Sequence, residues 1–383
     1  MDGTGNEGRL LPDESRTNVY KLFRATRSGP DSCIDPTAQV AFYIHGIGTP
    51  EPGKSMKWRD YAHQMFGAGL TQRIIDGYAA VVSVWDPGDL IYLFGFSRGA
   101  YAARCLGHVL ELFGIPTHDE NGKKLSLAPK DLRRICRRAV KSLYRCGYAL
   151  QESERRTANI IRFHQGYGSL LGVGTGGTPY LMGIWETVAA VGWSHFLKRG
   201  YDLHLPKQVR FARHAMAIDE YRKDFARVKW GGTNLPESRP GEPEAFQQVW
   251  FAGNHADIGG SYPENESRLS HVTLKWMVDF ISQEIPAEGR IQIDRSVMTL
   301  FPSSAGMMHD ECMVGVGGSP LHWYPGDRDV PPDAYLHHTV YERLEMDSVR
   351  NYTSYGKYLP APLRNHRIAQ KYFPASPKQE PAN

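Results

Sequence analysis

A serine with glycines two positions away on either side, Gly95-Phe96-Ser97-Arg98-Gly99, is the residue of this chain best suited to be a nucleophile. A serine in this pattern is presented for attack on a carbonyl by standing exposed at the bend between a strand and a helix. That bend is so tight that only small residues fit two positions before and after it. Both flanks match: Asp89 to Phe94 reads as the incoming strand and Tyr101 to Phe113 as the outgoing helix. The start of such a helix points backbone N–H groups at a developing oxyanion.

A serine needs a base, and histidine suits the task because its pKa lies near neutrality. Of 15 histidines, His255 stands out, because Val249-Trp250-Phe251-Ala252-Gly253-Asn254-His255-Ala256-Asp257-Ile258-Gly259-Gly260 reads as a strand entering a glycine-rich turn. His337, in Leu336-His337-His338-Thr339-Val340, is the reserve base, placed later in the chain as is usual for this kind of site. The third member is a carboxylate that fixes the imidazole tautomer. Glu186, ending the apolar run Leu181-Met182-Gly183-Ile184-Trp185, is the first choice; Asp257 competes, and Asp219 is a weaker option, better read as a helix-surface or loop-tethering residue. The oxyanion would be held by the Arg98 N–H and by a second donor from Ile44-His45-Gly46-Ile47-Gly48 or from Asp2-Gly3-Thr4-Gly5-Asn6, hence Gly46 or Gly3. Gly46-Ile47-Gly48 lacks the lysine-serine pair of a nucleotide loop. This chemistry requires no metal and no organic cofactor.

These residues must be positioned by a scaffold, and the chain supplies short apolar runs alternating with amphipathic stretches, the pattern of parallel strands joined by helices. Strands are expected at Gln39 to Ile44, Asp89 to Phe94, Tyr180 to Trp185 and Gln247 to Phe251, and helices at Trp58 to Val84, Tyr101 to Phe113 and Leu269 to Ile285. The predicted class is α/β, of the α/β-hydrolase type: a mostly parallel central sheet flanked by helices, with a helical insertion. Residues 1–290 would form the catalytic domain. The insertion, 118–168, helical over Leu132 to Ile161, would serve as a lid; 291–373 would pack on the domain as an extension, and 374–383 would be a disordered tail.

Composition narrows the function. With 383 residues, 41% hydrophobic, the chain can bury a large core, and 45 basic against 41 acidic residues give no argument for nucleic acid. The basic residues Lys130, Arg133, Arg134, Arg137, Arg138, Lys141 and Arg145 recur at helical spacing and read first as a solvated face, secondly as a contact for anionic head groups at a membrane surface. Five cysteines without a C-x-x-C pair indicate neither a zinc site nor a disulfide framework. A polar start and no long apolar run predict synthesis as a cytoplasmic chain, with signal-independent export left open.

In order along the chain, Asp2-Gly3-Thr4-Gly5-Asn6, Gly46-Ile47-Gly48-Thr49, Gly95-Phe96-Ser97-Arg98-Gly99-Ala100, Trp185-Glu186-Thr187-Val188 and His255-Ala256-Asp257-Ile258-Gly259-Gly260 resemble the bacterial type VI secretion phospholipase effectors and related uncharacterised α/β-hydrolase domains of bacteria and fungi. His337-His338-Thr339-Val340-Tyr341-Glu342-Arg343 resembles a further downstream motif of such proteins. The resemblance implies a Ser-Asp-His triad and phospholipase A-type esterase activity, carried here by Ser97, Glu186 and His255. It departs from the family in three ways. Glutamate replaces the usual aspartate at 186; the strand that normally leads into Asp-Gly-Thr has no counterpart before Met1, so a sheet edge is expected to be exposed; and no large C-terminal membrane-anchoring module is visible. The expected partner is an ester or phospholipid substrate. The alternatives are a catalytically idle hydrolase fold that binds lipid or protein, and a thioesterase or peptidase using the same triad.

Overall fold

The computed structural model describes residues 1–3, 15–46, 58–144, 150–187, 204–225, 228–230, 235–312 and 325–374, with backbone only for 58–68, 150–152 and 224. Four parallel strands form the sheet in chain order: β1 (Tyr92–Phe96), β2 (Leu181–Trp185), β3 (Phe211–Ala217) and β4 (Phe246–Phe251). Phe96 lies opposite Trp185, and Trp185 opposite Ala215. Ser97 and Glu186 therefore leave adjacent strands at the same sheet edge. β2 and β3 are buried along their whole length, as parallel strands covered on both faces must be.

The strand β3 is missing from the sequence reading because Arg213 and His214 interrupt its apolar run. The fold absorbs both. Arg213, 2% exposed, lays its guanidinium 3.6 Å from the centre of the Phe280 ring and donates to the Ala212 carbonyl. His214, fully buried, shares its Nδ1 with the Gln248 side chain.

Helices cover both faces of the sheet. On one side α2 (Trp58–Val84), α3 (Arg98–Phe113), α4 (Pro129–Tyr144) and α5 (Leu150–Tyr167) enclose a core that includes Ile74, Tyr78, Leu106, Val109, Leu110 and Met182. On the other, α1 (Asn18–Thr26) and α7 (Arg268–Asp279), which runs on into a π turn over Phe280–Glu284, pack on Trp185, Phe211, Val249 and Phe251. Between β4 and α7 lies a single-turn helix, α6 (His255–Gly259).

The stretch expected to be helical over Leu132 to Ile161 carries α4 and α5; residues 145–149 lie outside the described residues. α4 buries Leu132, Ile135, Cys136, Ala139, Val140 and Leu143 and turns its arginines to solvent, where Arg133 meets Asp76 and Arg134 meets Asp131. Past α7 come α8 (His338–Glu345) and the short antiparallel pair β5 (Val349–Asn351) and β6 (Ser354–Gly356), around a third core with Trp250, Leu336 and Leu344. Of the tail expected from Pro374, all but Pro374 lies outside the described residues. No described helix is long and apolar enough to cross a membrane.

Gln39 to Ile44, expected as a strand, joins no sheet among the described residues. The place beside β1 is held by Met1: its nitrogen donates to the Phe94 carbonyl at 2.7 Å, and the Phe96 N–H donates to the Met1 carbonyl at 3.2 Å. The Asp2 N–H in turn donates to Ile44 O at 3.0 Å. Beyond that point the 39–44 segment and β1 both line a cavity of about 650 Å³ and cannot bond each other's backbone.

Candidate active site

Ser97 sits at the bend between β1 and α3 with φ 59° and ψ −122°, a left-handed conformation that a non-glycine residue adopts at a cost of about 1–3 kcal/mol. The flanking glycines show why the bend demands them. A Cβ on Gly95 would lie 2.5 Å from the Gly99 carbonyl, and one on Gly99 would lie 2.3 Å from the Met1 carbonyl and 2.7 Å from the Asp2 carbonyl carbon. Neither neighbour is a flexible side-chain tip. Gly99→Ala is therefore expected to destabilise the fold by about 2–4 kcal/mol, read as a lowered urea midpoint; an unchanged midpoint would mean that Met1 and Asp2 do not press on the bend.

The same contact sets the Asp2-Gly3 loop against the start of α3. Asp2 is 5% exposed and organises that loop: its Oδ1 accepts the Gly3 N–H at 2.8 Å, and its Oδ2 accepts Thr17 Oγ1 at 2.5 Å and Tyr43 Oη at 2.6 Å. The Gly3 N–H is thus taken by its neighbour's carboxylate and not aimed outward. Gly46 is buried near by, its carbonyl accepting from Arg73 Nη2 at 3.1 Å. Thr4 to Asn6 and Ile47 to Thr49 lie outside the described residues. Ser97 makes no side-chain cap on α3.

Glu186 follows β2 directly, with φ 42° and 1% exposure. Its Oε1 accepts the Ala217 N–H at 2.6 Å; its Oε2 meets Arg328 Nη2 at 2.7 Å and His255 Nδ1 at 3.4 Å. Burial by itself would raise this carboxyl's pKa, but the Arg328 charge, the contact with His255 and the Ala217 N–H outweigh it and hold the pKa down to about 2.

His255 opens α6, whose N-terminus is fixed by a capping box between Asn254 and Asp257. Its backbone N–H donates to Glu220 Oε2 at 3.2 Å, and its ring lies between those of Phe96 and Phe225, with centroids 4.7 and 5.3 Å away. Burial lowers the imidazole pKa, more than Glu186 raises it. The ring is accordingly neutral at pH 7, and a carboxylate facing Nδ1 selects the tautomer that leaves Nε2 as a proton acceptor.

The structure thus brings Glu186 and His255 together and sets Ser97 on the neighbouring strand end, its N–H donating to the Trp185 carbonyl at 3.1 Å. Ser97 and His255 are each 6% exposed, and no hydrogen bond joins Ser97 Oγ to the ring among the described residues.

Asp257 is engaged elsewhere: Oδ1 meets His309 Nδ1 at 2.8 Å, while Oδ2 accepts the N–H groups of Asn254 and His309. His337 caps α8, stacks on Phe251 with centroids 4.6 Å apart, and spends its Nδ1 on Thr339; it has no contact with Ser97 or Glu186 among the described residues. Asp219 ties a loop, accepting from Gly253 N–H, Tyr221 and Tyr358, with burial pushing its pKa up to about 6. Sequence reasoning gave the carboxylates of Asp2 and Glu220 no role and missed His309 and Arg328. The last two stand far from any motif, and only the fold reveals them. No group of three or more His, Cys, Asp or Glu among the described residues is arranged to hold a metal.

Against known proteins, residues 1–280 match the model of the type VI secretion phospholipase effector Tle1-like catalytic domain. An uncharacterized protein of Saccharomyces cerevisiae is 32% identical over 108 residues, 26% of this chain and 15% of the yeast protein. Among solved structures, an uncharacterized protein from Pseudomonas aeruginosa aligns at 17% identity over 79% of this chain and 47% of its own, with a TM-score of 0.40. The Tle1 effector bound to the VgrG spike of the type 6 secretion system aligns at 22% identity over 66% of this chain and 42% of its own, with a TM-score of 0.33. The chain therefore spans less than half of each of these relatives.

Proposed function

Because the chain belongs to the Tle1-like phospholipase effector catalytic-domain family, we propose that it is a serine-dependent carboxylic ester hydrolase of phospholipase A type, built on an α/β-hydrolase fold. Ser97 attacks the acyl carbonyl, His255 takes the serine proton and returns it to the leaving alcohol, and Glu186 holds the imidazole in its working tautomer. The oxyanion rests on the Arg98 N–H and a donor of the adjoining glycine loops, Gly46 or Gly3, of which the Gly3 N–H already serves Asp2. Water then releases the acid from the acyl-enzyme.

The observation that carries this reading is the pairing of Glu186 with His255 beside a serine in a left-handed bend on the adjacent strand end. Two buried ionisable groups and a strained serine at one sheet edge are costly for a scaffold and useful to a nucleophile. Residues 1–290 form the proposed catalytic unit, with 118–168 over it as a lid and 291–373 as the extension that lends Arg328.

The lack of a hydrogen bond between Ser97 Oγ and the His255 ring among the described residues favours a second reading, an idle fold that binds lipid. Labelling with a fluorophosphonate separates the two. Stoichiometric modification of wild type, mapped to the peptide with Ser97 and lost in Ser97→Ala, is the expected result. An unlabelled protein that still binds phospholipid would establish the second reading.

A further inference from the structure

Arg328 lies 142 residues from Glu186 in the chain, yet it places Nη2 2.7 Å from Glu186 Oε2, the oxygen that also faces His255. The chain delivers it there by two backbone anchors, the Gly326 N–H to Tyr221 O at 2.7 Å and a bridge between Pro325 and Arg222. Arg328 is 8% exposed, and among the described residues its Nε and Nη1 have no hydrogen-bond partner. Among the described residues Glu186 is its one hydrogen-bond partner, and Glu220 is a second carboxylate on which its charge acts.

An arginine buried for stability would have its fork satisfied, because desolvating a guanidinium with two idle donors costs more than one ion pair returns. We infer that Arg328 is a positioning residue of the Glu186–His255 pair, fixing the carboxylate and setting how strongly it draws a proton onto the imidazole. This rests on the hydrolase reading above. The geometry divides the labour: Ala217 N–H pins Oε1, while Oε2 is shared between a near cation at 2.7 Å and a farther imidazole at 3.4 Å. A carboxylate partly neutralised by arginine supports an imidazolium less, so the ring stays in its neutral, proton-accepting form to lower pH.

Among the described residues, the charged groups facing His255 come from three elements and the downstream segment. Glu186 faces it after β2; Glu220 and Arg222 after β3; Arg328 from the downstream segment, through Glu186. Asp257, on the ring's own helix, is tied to His309.

The test is the titration of the His255 ring, followed by nuclear magnetic resonance on histidine-labelled protein and assigned by its loss in His255→Asn, together with the pH profile of kcat/KM on a chromogenic ester. In Arg328→Met the His255 pKa is expected to rise by about one unit, the acid limb of kcat/KM to follow it, and kcat to fall roughly tenfold to a hundredfold. Arg328→Lys keeps the charge without the planar fork, so its titration stays with wild type while kcat still falls. A merely structural arginine would not produce that split. A His255 titration unmoved in Arg328→Met, or full kcat in Arg328→Lys, overturns the inference. If Arg328→Met fails to fold by circular dichroism, the kcat of Arg328→Lys decides alone. Ser97→Ala hydrolysing as fast as wild type would instead defeat the hydrolase reading, and the His255 titration would still report what Arg328 does to that ring.

Discussion

His255→Ala is expected to lower ester hydrolysis by roughly four to six orders of magnitude, while His337→Ala leaves it close to wild type. The contrast follows from what each ring already does. His255 has its Nδ1 on a buried carboxylate and its face against Phe96, the residue before the proposed nucleophile. His337 has spent its Nδ1 on Thr339 and its face on Phe251, and burial beside His338 pushes its pKa down to about 3, too low for a useful base near neutrality. Burial lowers the His255 pKa as well. A base works in its neutral form, so the acid limb of kcat/KM should lie below pH 6.5 and activity should persist into mildly acidic solution. Initial rates on a short-chain ester over pH 4 to 9 measure both. The reverse ranking of the two alanine variants would move the base to His337.

What the sequence made legible was whatever depends on local backbone. A bend that admits only glycine two residues either side of its serine can be read from five residues, and the structure gives the reason as contacts of 2.3 to 2.5 Å that any Cβ would make. A strand running into an Asn-capped turn likewise marks His255. β3 escaped because burial of Arg213 and His214 depends on Phe280 and Gln248, neither of which is near in sequence. The 39–44 segment looked like a strand, yet pairing needs a partner edge, and its neighbour there is Met1 with a cavity behind it. Asp257 looked like a rival acid by adjacency to His255. On a helix, however, side chains two residues apart point to different faces, and Asp257 reaches His309 instead. The partners of the site that sequence could not supply, Arg328 and His309, come from beyond the residues that match the family.

Glu186→Gln tests the acid, with an expected loss of about 10⁴ in kcat. The substitution is nearly isosteric, so its effect is one of hydrogen-bond polarity. Oε1 must accept the Ala217 N–H, which directs the new amide NH₂ to the site where Oε2 now receives Arg328 and His255. A donor there faces the guanidinium and turns the imidazole to its other tautomer, with the proton on Nε2, where it can no longer take one from serine. The reversed amide rescues the ring only by setting NH₂ against the Ala217 N–H. Stability should change in the same variant. The wild-type carboxyl is held at about 2, against 4.5 for a free glutamate, so its contribution is complete above pH 4.5 and disappears as pH falls through 2. For a fully buried group that is on the order of 3 kcal/mol. The glutamine variant leaves Arg328 buried without its counter-charge; it should be less stable than wild type at pH 7, and its urea midpoint should fall less between pH 4.5 and 2. A Glu186→Gln enzyme with near wild-type kcat would take the acid role away from this residue, and Asp257, for all its commitment to His309, would become the carboxylate to mutate next.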